Sequence, residues 1–207
     1  MNILGVIIAG GKSKRMGSEK AFAKLGRKTL IVHVVDRLMP QVEDIVINAN
    51  GDPKRFHFLE FDIIPDIETE IDTPLAGIHA ALSYADEEGY DAVVTVPSDS
   101  PFLPHDLIRK LAGTKPAFAN SKGQDHFLTG FWPVKLLANL EKEMHKSNRV
   151  QDWVFKIDAA KINWRADDYD PFMNINTPAD LEKAKQILNS SPSPSWGGRG
   201  GGRPNVG

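Results

Sequence analysis

Apolar positions along this chain follow two alternating patterns. Ile3 to Ala9 is a short, uninterrupted apolar run stopped by Gly10-Gly11, the pattern of a strand covered on both faces inside a parallel sheet. Further strands are expected at Ile45 to Asn48, Phe61 to Pro65 and Ala92 to Val96. Between them helical spacing takes over: Leu30, Val34, Val35 and Leu38 before the second strand, and Leu75, Ile78, His79 and Leu82 before the fourth. This alternation predicts an α/β domain, a three-layer α/β/α sandwich with a mainly parallel, Rossmann-like sheet that binds ligands at the carboxyl ends of its strands.

The second half is less regular. Asp125 to Trp132 reads as a strand, Lys135 to Lys146 as a helix, and a further helix begins at Thr177 and ends near Leu188. Thr177 suits the N-cap, Pro178 the first helical position, and Asp180 the place of a capping-box acid. Residues 1–188 are therefore read as one globular unit. From Asn189 to Gly207 Ser, Pro and Gly dominate, with only Trp196 and Val206 as large apolar residues. Such a tail buries too little surface to offset its chain entropy and is expected to be disordered.

Composition narrows the function classes. With 207 residues, 41% apolar and 25% charged, the chain has room for a core and lies far from disordered compositions. A formal net charge of -2 creates no global field for a nucleic acid, so any basic site must be local. The absence of cysteine removes disulfide scaffolds, Cys-ligated zinc and thiol nucleophiles. Met1-Asn2-Ile3-Leu4 runs straight into the first strand without a signal-peptide pattern, and no apolar run reaches membrane-spanning length. A cytoplasmic protein with neither nucleic acid nor membrane as partner is expected.

A local basic site stands directly after the first strand. From Gly10 to Lys28 there are seven basic residues, Lys12, Lys14, Arg15, Lys20, Lys24, Arg27 and Lys28, against the single acid Glu19. Glycines at a strand end expose backbone N–H groups, and clustered cations beside them can surround phosphates; the same residues also suit a glycine turn with a solvated basic loop. Two common phosphate motifs fail on spacing. A P-loop places Gly-Lys-Ser/Thr four residues after its first Gly, but Gly11 stands where the Lys must be after Gly5 and Gly10. The dinucleotide pattern Gly-x-Gly-x-x-Gly is missing, because Gly10 and Gly11 are adjacent and Lys12 and Ser13 follow.

The stretch Ile8-Ala9-Gly10-Gly11-x-x-x-Arg15-Met16-Gly17-x-x-Lys20, followed by Leu25-Gly26-x-x-x-Leu30, resembles the loop of the nucleotidyltransferases that make nucleotide sugars and related cofactors. Asn48-Ala49-Asn50, Pro74-Leu75-Ala76-Gly77, Pro97-Ser98-Asp99-Ser100-Pro101 and Asn174-Ile175-Asn176-Thr177-Pro178 are similar, in order, to the molybdenum cofactor guanylyltransferase family. The likeness spans about Ile3 to Leu188. It implies the nucleotide-diphospho-sugar transferase type of fold. It also implies Mg²⁺-dependent transfer of GMP from GTP to molybdenum-molybdopterin, helped by proteins that deliver molybdopterin.

The resemblance also implies roles. In such a transfer an acceptor phosphate oxygen attacks the α-phosphorus and pyrophosphate leaves, so the difficulty is the charge of two polyanions rather than deprotonation. Arg15 is suited to bidentate contact with phosphate and Lys20 to following the α-phosphate as a point charge. Asp99, after an apolar strand and between two prolines, matches the family's metal-binding Asp, although Asp also forms turns near Pro. Nucleotide contacts carry over to Ile8, Ala9, Gly10, Lys20, Asn48, Asp66, Gly77 and Asp99. A carboxylate at Asp66 can accept from guanine N1–H and the exocyclic amine. The same residue sits in an acidic stretch with Glu60, Asp62, Glu68, Glu70 and Asp72, the composition of a solvated loop. Gly77 permits close approach of a ligand, or tight helix packing. Asn174 and Asn176 lie on one side of an extended segment and match residues thought to face the acceptor. Asp125-His126 also resembles a family segment and is read as structural. The rivals are a cytidylyltransferase on the same cofactor, a sugar-phosphate nucleotidyltransferase and a non-catalytic nucleotide-binding regulator; intact Arg15, Lys20 and Asp99 speak against the last.

Overall fold

The computed structural model describes residues 1–10, 17–67, 73–147 and 149–190. In chain order the first half contains β1 (Ile3–Ile8), β2 (Lys24–Leu25), β3 (Lys28–Thr29), α1 (Leu30–Leu38), β4 (Asp44–Asn48), β5 (Asp62–Ile64), α2 (Pro74–Glu87) and β6 (Ala92–Pro97). The second half adds α3 (Leu107–Leu111), β7 (Ala117–Ser121), β8 (Gln124–Pro133), α4 (Leu137–Met144), α5 (Val150–Lys156), β9 (Ala160–Trp164) and α6 (Pro178–Ser190).

Seven strands form one sheet in the order β5-β4-β1-β6-β8-β7-β9, while β2 and β3 pair separately. All pairings in the large sheet are parallel except the two made by β8, as the alternating strands and helices predict. The chain moves outward from β1 through β4 to β5, then returns to place β6 on the other side of β1. That reversal opens a crevice beyond the carboxyl ends of β1 and β6, where open α/β sheets bind ligands.

Period-two alternation divides β1 between two cores. Ile3 and Ile7 pack with Ile31, Val34 and Leu38 of α1, whereas Leu4, Val6 and Ile8 pack with Leu75, Ile78 and Leu82 of α2. Complete burial of such side chains stabilises by about 1.5–3 kcal/mol each, so both helix layers are firmly fixed. A third cluster joins Leu25 and Leu30 to Phe102, Ile175, Ala184 and Ile187. It presses α6 and the segment before it against the β2–β3 hairpin, and so joins the two ends of the described chain.

Several boundaries differ from expectation. The strand expected from Phe61 to Pro65 shortens to β5, and that from Asp125 to Trp132 lengthens by one residue at each end. The helix expected at Lys135 to Lys146 starts as a 3-10 turn, Val134–Leu136, before α4. Strands β7 and β9 and helices α3 and α5 carried no expectation; β7 is built of Ala, Phe, Asn and Ser, and β9 alternates partly buried and exposed positions until the buried Trp164. Helix α6 continues to Ser190, two residues past the expected end, and the Ser190 hydroxyl donates to the Ile187 carbonyl. The remainder of the Ser/Pro/Gly-rich tail lies outside the described residues.

Candidate active site

The carboxyl ends of four parallel strands are knitted into one rim. The Ala9 N–H donates to the Asn48 carbonyl at 2.8 Å, Ser98 N–H to the Ile8 carbonyl at 3.0 Å, and Ala49 N–H to the Ile64 carbonyl at 3.0 Å. These bonds extend the ladders just beyond the strands, placing Ile8, Ala9 and Gly10 between the residues after β4 and those after β6.

On the β4 side three polar side chains form a closed set. Asn48, buried at the end of β4, donates its amide to Asp66 Oδ1 at 2.9 Å and to the Ile64 carbonyl at 3.2 Å. Asn50 donates to Asp66 Oδ2 at 2.7 Å and accepts from the Asp66 N–H at 2.9 Å. These bonds distinguish Asp66 from a freely solvated acid of the same stretch. Gly77, in the first turn of α2, faces this set: a Cβ there would meet Asn48 Oδ1 at 2.5 Å. The group that approaches Gly77 is thus the Asn48 side chain, and the absent Cβ leaves it room.

On the β6 side three distant segments converge. Lys20, from the 3-10 turn Gly17–Phe22, donates to Asp99 Oδ2 and to Asn176 Oδ1. The Lys20 and Asp99 side chains are only 12% and 13% exposed. Such a pair adds little net stability, because desolvation of both charges offsets most of their attraction. Asp99 Oδ1 is buried and has no hydrogen-bond partner among the described residues. The Ile175 N–H donates to the Asp99 carbonyl at 3.0 Å and the Ser100 hydroxyl donates to Asn174 Oδ1 at 2.7 Å. Buried Ile175 anchors this strap, residues 170–177, in the third core cluster, while Asn174 reaches Ser100 in the turn after β6 and Asn176 reaches Lys20.

The strap is fixed at both ends. Downstream, Asp180 Oδ2 accepts from the N–H groups of Asn176 and Thr177 and from the Thr177 hydroxyl, which in turn accepts from the Asp180 N–H at 3.1 Å. This is the capping box expected from the sequence. Hydrogen bonding from Thr177 holds the Asp180 carboxyl below its ordinary range, with further help from the two backbone donors and the charge of Lys20. Upstream, Asp170 Oδ1 accepts from the Ser121 hydroxyl at 2.5 Å and from the Phe172 N–H at 2.9 Å. His126 Nε2 stands 2.8 Å from the same hydroxyl and so belongs to the anchoring of the strap, whereas Asp125 accepts from Asn120 at 2.6 Å and pairs with Lys161 at 2.9 Å. Burial pushes the His126 imidazole below its ordinary value, against the upward pull of Asp170 and Asp125.

Lys20, Asp99, Asn174 and Asn176 therefore meet at one place, and Asn48, Asp66 and Gly77 at another along the same rim. Arg15 lies outside the described residues. The motifs alone give no role to Asn50 or Ser100, although both stand inside them; the two-residue spacing of Asn48 and Asn50 at a strand end is the signal that points to the first. Among the described residues no group of three or more His, Asp and Glu side chains is arranged to hold a metal. A cation here would rely on Asp99, whose unpartnered buried oxygen suits a hard ion, together with ligands from substrate and water. No described helix is long and apolar enough to cross a membrane.

The family model of the MobA-like NTP transferase domain matches residues 5–160. A molybdenum cofactor guanylyltransferase of Rhizobium leguminosarum bv. trifolii is 41% identical over 199 residues, covering 90% of this chain and 93% of that protein. One of Rhodobacter capsulatus is 40% identical over 190 residues, covering 91% and 97%. Among solved structures, molybdopterin-guanine dinucleotide biosynthesis protein A of Archaeoglobus fulgidus superposes with a TM-score of 0.69 over 91% of this chain and 100% of that one, at 23% identity, a likeness of fold. With the loop motif, the crevice at the strand reversal and these matches in agreement, the chain belongs to the molybdenum cofactor guanylyltransferase family and is a nucleotidyltransferase of the MobA-like type.

Proposed function

We propose that this enzyme transfers GMP from GTP to the phosphate of molybdenum-molybdopterin in the cytoplasm, releasing pyrophosphate and forming molybdopterin guanine dinucleotide. The observation that carries this reading is the meeting of Lys20, Asp99 and Asn176 from three separate segments beside the crevice. An acceptor phosphate oxygen forms a bond to the α-phosphorus of GTP as the bond to the bridging oxygen of the β-phosphate breaks. The acceptor oxygen is already anionic, so the protein must hold two polyanions together and offset the charge growing on the leaving group.

Lys20 stands between Asp99 and Asn176, where its ammonium can leave these partners for phosphate oxygens. Arg15 adds a bidentate donor to the same anions. Asp99 would hold Mg²⁺ through its free oxygen, and the ion, when bound, supplies positive charge to the phosphates. Asn174 and Asn176 face the acceptor, while Ile8, Ala9, Gly10, Asn48, Asp66 and Gly77 shape the nucleotide side. Pyrophosphate release in the presence of molybdenum-loaded molybdopterin tests this with GTP, CTP and UTP in parallel. Release with GTP alone is expected; equal rates with CTP, or release that does not require the acceptor, would overturn the assignment.

A further inference from the structure

Among the described residues Asn50 is the one side chain that binds Asp66 at two points, and its amide can face only one way. Its oxygen must accept the Asp66 N–H at 2.9 Å, so its nitrogen is the end that donates to Asp66 Oδ2 at 2.7 Å. Arg55 Nη2 donates to the Asn50 carbonyl at 3.0 Å and its Nε to the Asp52 carbonyl at 3.2 Å, bracing the turn that carries Asn50. Asn48 meanwhile occupies Asp66 Oδ1 at 2.9 Å.

An ionised carboxylate has about four acceptor positions, two on each oxygen. Asn48 takes one on Oδ1 and Asn50 takes one on Oδ2, which leaves one acceptor on each oxygen and stops the carboxylate from rotating. Two adjacent acceptors complement the N1–H and 2-amino donors of guanine. Adenine and cytosine instead present a ring-nitrogen acceptor beside their amino group, and that acceptor would face a carboxylate oxygen with no proton between them.

We propose that Asn50 is a positioning residue for base selection, clamping the Asp66 carboxylate so that it presents both oxygens to the guanine edge. This rests on the reading of Asp66 as the base-recognising group. Asn50 touches the base only through Asp66, so its effect is on discrimination between nucleotides rather than on the transfer step.

The test is titration calorimetry of GTP and inosine triphosphate, which lacks only the 2-amino group, with the full-length parent, Asn50→Ala, Asn50→Asp and Asp66→Ala, alongside melting curves. The parent should prefer GTP by on the order of tenfold or more, the value of a hydrogen bond to a charged acceptor. Asn50→Ala should bring the two affinities within about threefold of each other, as expected when that bond is no longer aligned. Asn50→Asp keeps the acceptor for the Asp66 N–H but sets carboxylate against carboxylate, so it should fail to restore the preference. If Asp66→Ala abolishes the preference while both Asn50 variants keep the parent ratio, Asn50 has no positioning role and the Asp66 reading stands. If Asp66→Ala also keeps the parent ratio, the base-recognition reading falls and the Asn50 proposal with it. A drop in melting temperature with an unchanged ratio would mark Asn50 as structural only and overturn the proposal.

Discussion

From β5 to β6 the sheet consists of parallel strands, of which β4, β1 and β6 are almost wholly buried, and the polar side chains Asn48, Asn50, Asp66 and Asp99 gather at their carboxyl ends. From β8 to β9 it includes an antiparallel strand, a bulge between Phe118 and Ala119 and an edge strand with exposed alternate positions, and its polar groups tie distant loops together. The rim beyond β1 and β4 thus takes its geometry from backbone ladders, supplemented by one set of neighbouring side chains, Asn48, Asn50 and Asp66. The strap beside Asp99 depends on side-chain links between distant segments, Ser121 to Asp170, Ser100 to Asn174 and Lys20 to Asn176, together with the backbone bond from Ile175 to Asp99 and the burial of Ile175.

The junction between the two regions should be the most sensitive point. Lys20→Ala is expected to lower turnover by on the order of a hundredfold or more with a much smaller change in GTP affinity, because its charge matters most as the α-phosphate becomes five-coordinate. Single-turnover rates beside equilibrium GTP binding measure this. Equal losses in both would make Lys20 a uniform binding group.

Next in size is a pair of changes that separates the two sides. Gly77→Ala places a Cβ 2.5 Å from Asn48 Oδ1, so it must displace Asn48. GTP affinity should fall by roughly tenfold or more, the cost of misaligning a buried polar set, while the acceptor KM changes little. Asp170→Ala frees one end of the strap and leaves the buried Ser121 hydroxyl without its carboxylate. It should raise the acceptor KM and cost about 1–3 kcal/mol of stability, with GTP binding near that of the parent. Steady-state kinetics with each substrate varied in turn separates these outcomes; identical profiles for the two variants would erase the division.

The smallest effect concerns pH. With its folded pKa lowered by burial, His126 binds fewer protons than it does in the unfolded chain. Its contribution to stability is complete above the unfolded value, about 6.5, and is lost as pH falls from there toward the folded value. The parent's melting temperature should therefore decline over that window more steeply than that of His126→Gln. Parallel slopes would show that His126 titrates alike in both states.

The same contrast explains what the sequence revealed. Apolar runs such as Ile3 to Ile8 and Ala92 to Val96, the latter broken only by Thr95, announce their strands, and short motifs at strand ends announce Asp99 and Asn48. Strand β9, with Lys161 and Asn163 exposed between partly buried neighbours, carries too weak an alternation to stand out. Lys20 and Asn176 lie 156 residues apart, so no local pattern could announce their contact. The Thr177 capping box was legible because all its partners fall within five residues, from Asn176 to Asp180.

In the proposed transfer Asp99 is the charge centre rather than a turn former. Asp99→Asn preserves size and local backbone bonding but removes the charge that Mg²⁺ prefers. Pyrophosphate release from GTP with loaded acceptor should be titrated with Mg²⁺ for the parent and the variant, with melting curves to confirm folding. The variant should fold, need far more Mg²⁺ for half-maximal rate and turn over on the order of a hundredfold or more slowly. A near-parent rate at an unchanged Mg²⁺ requirement would contradict this role.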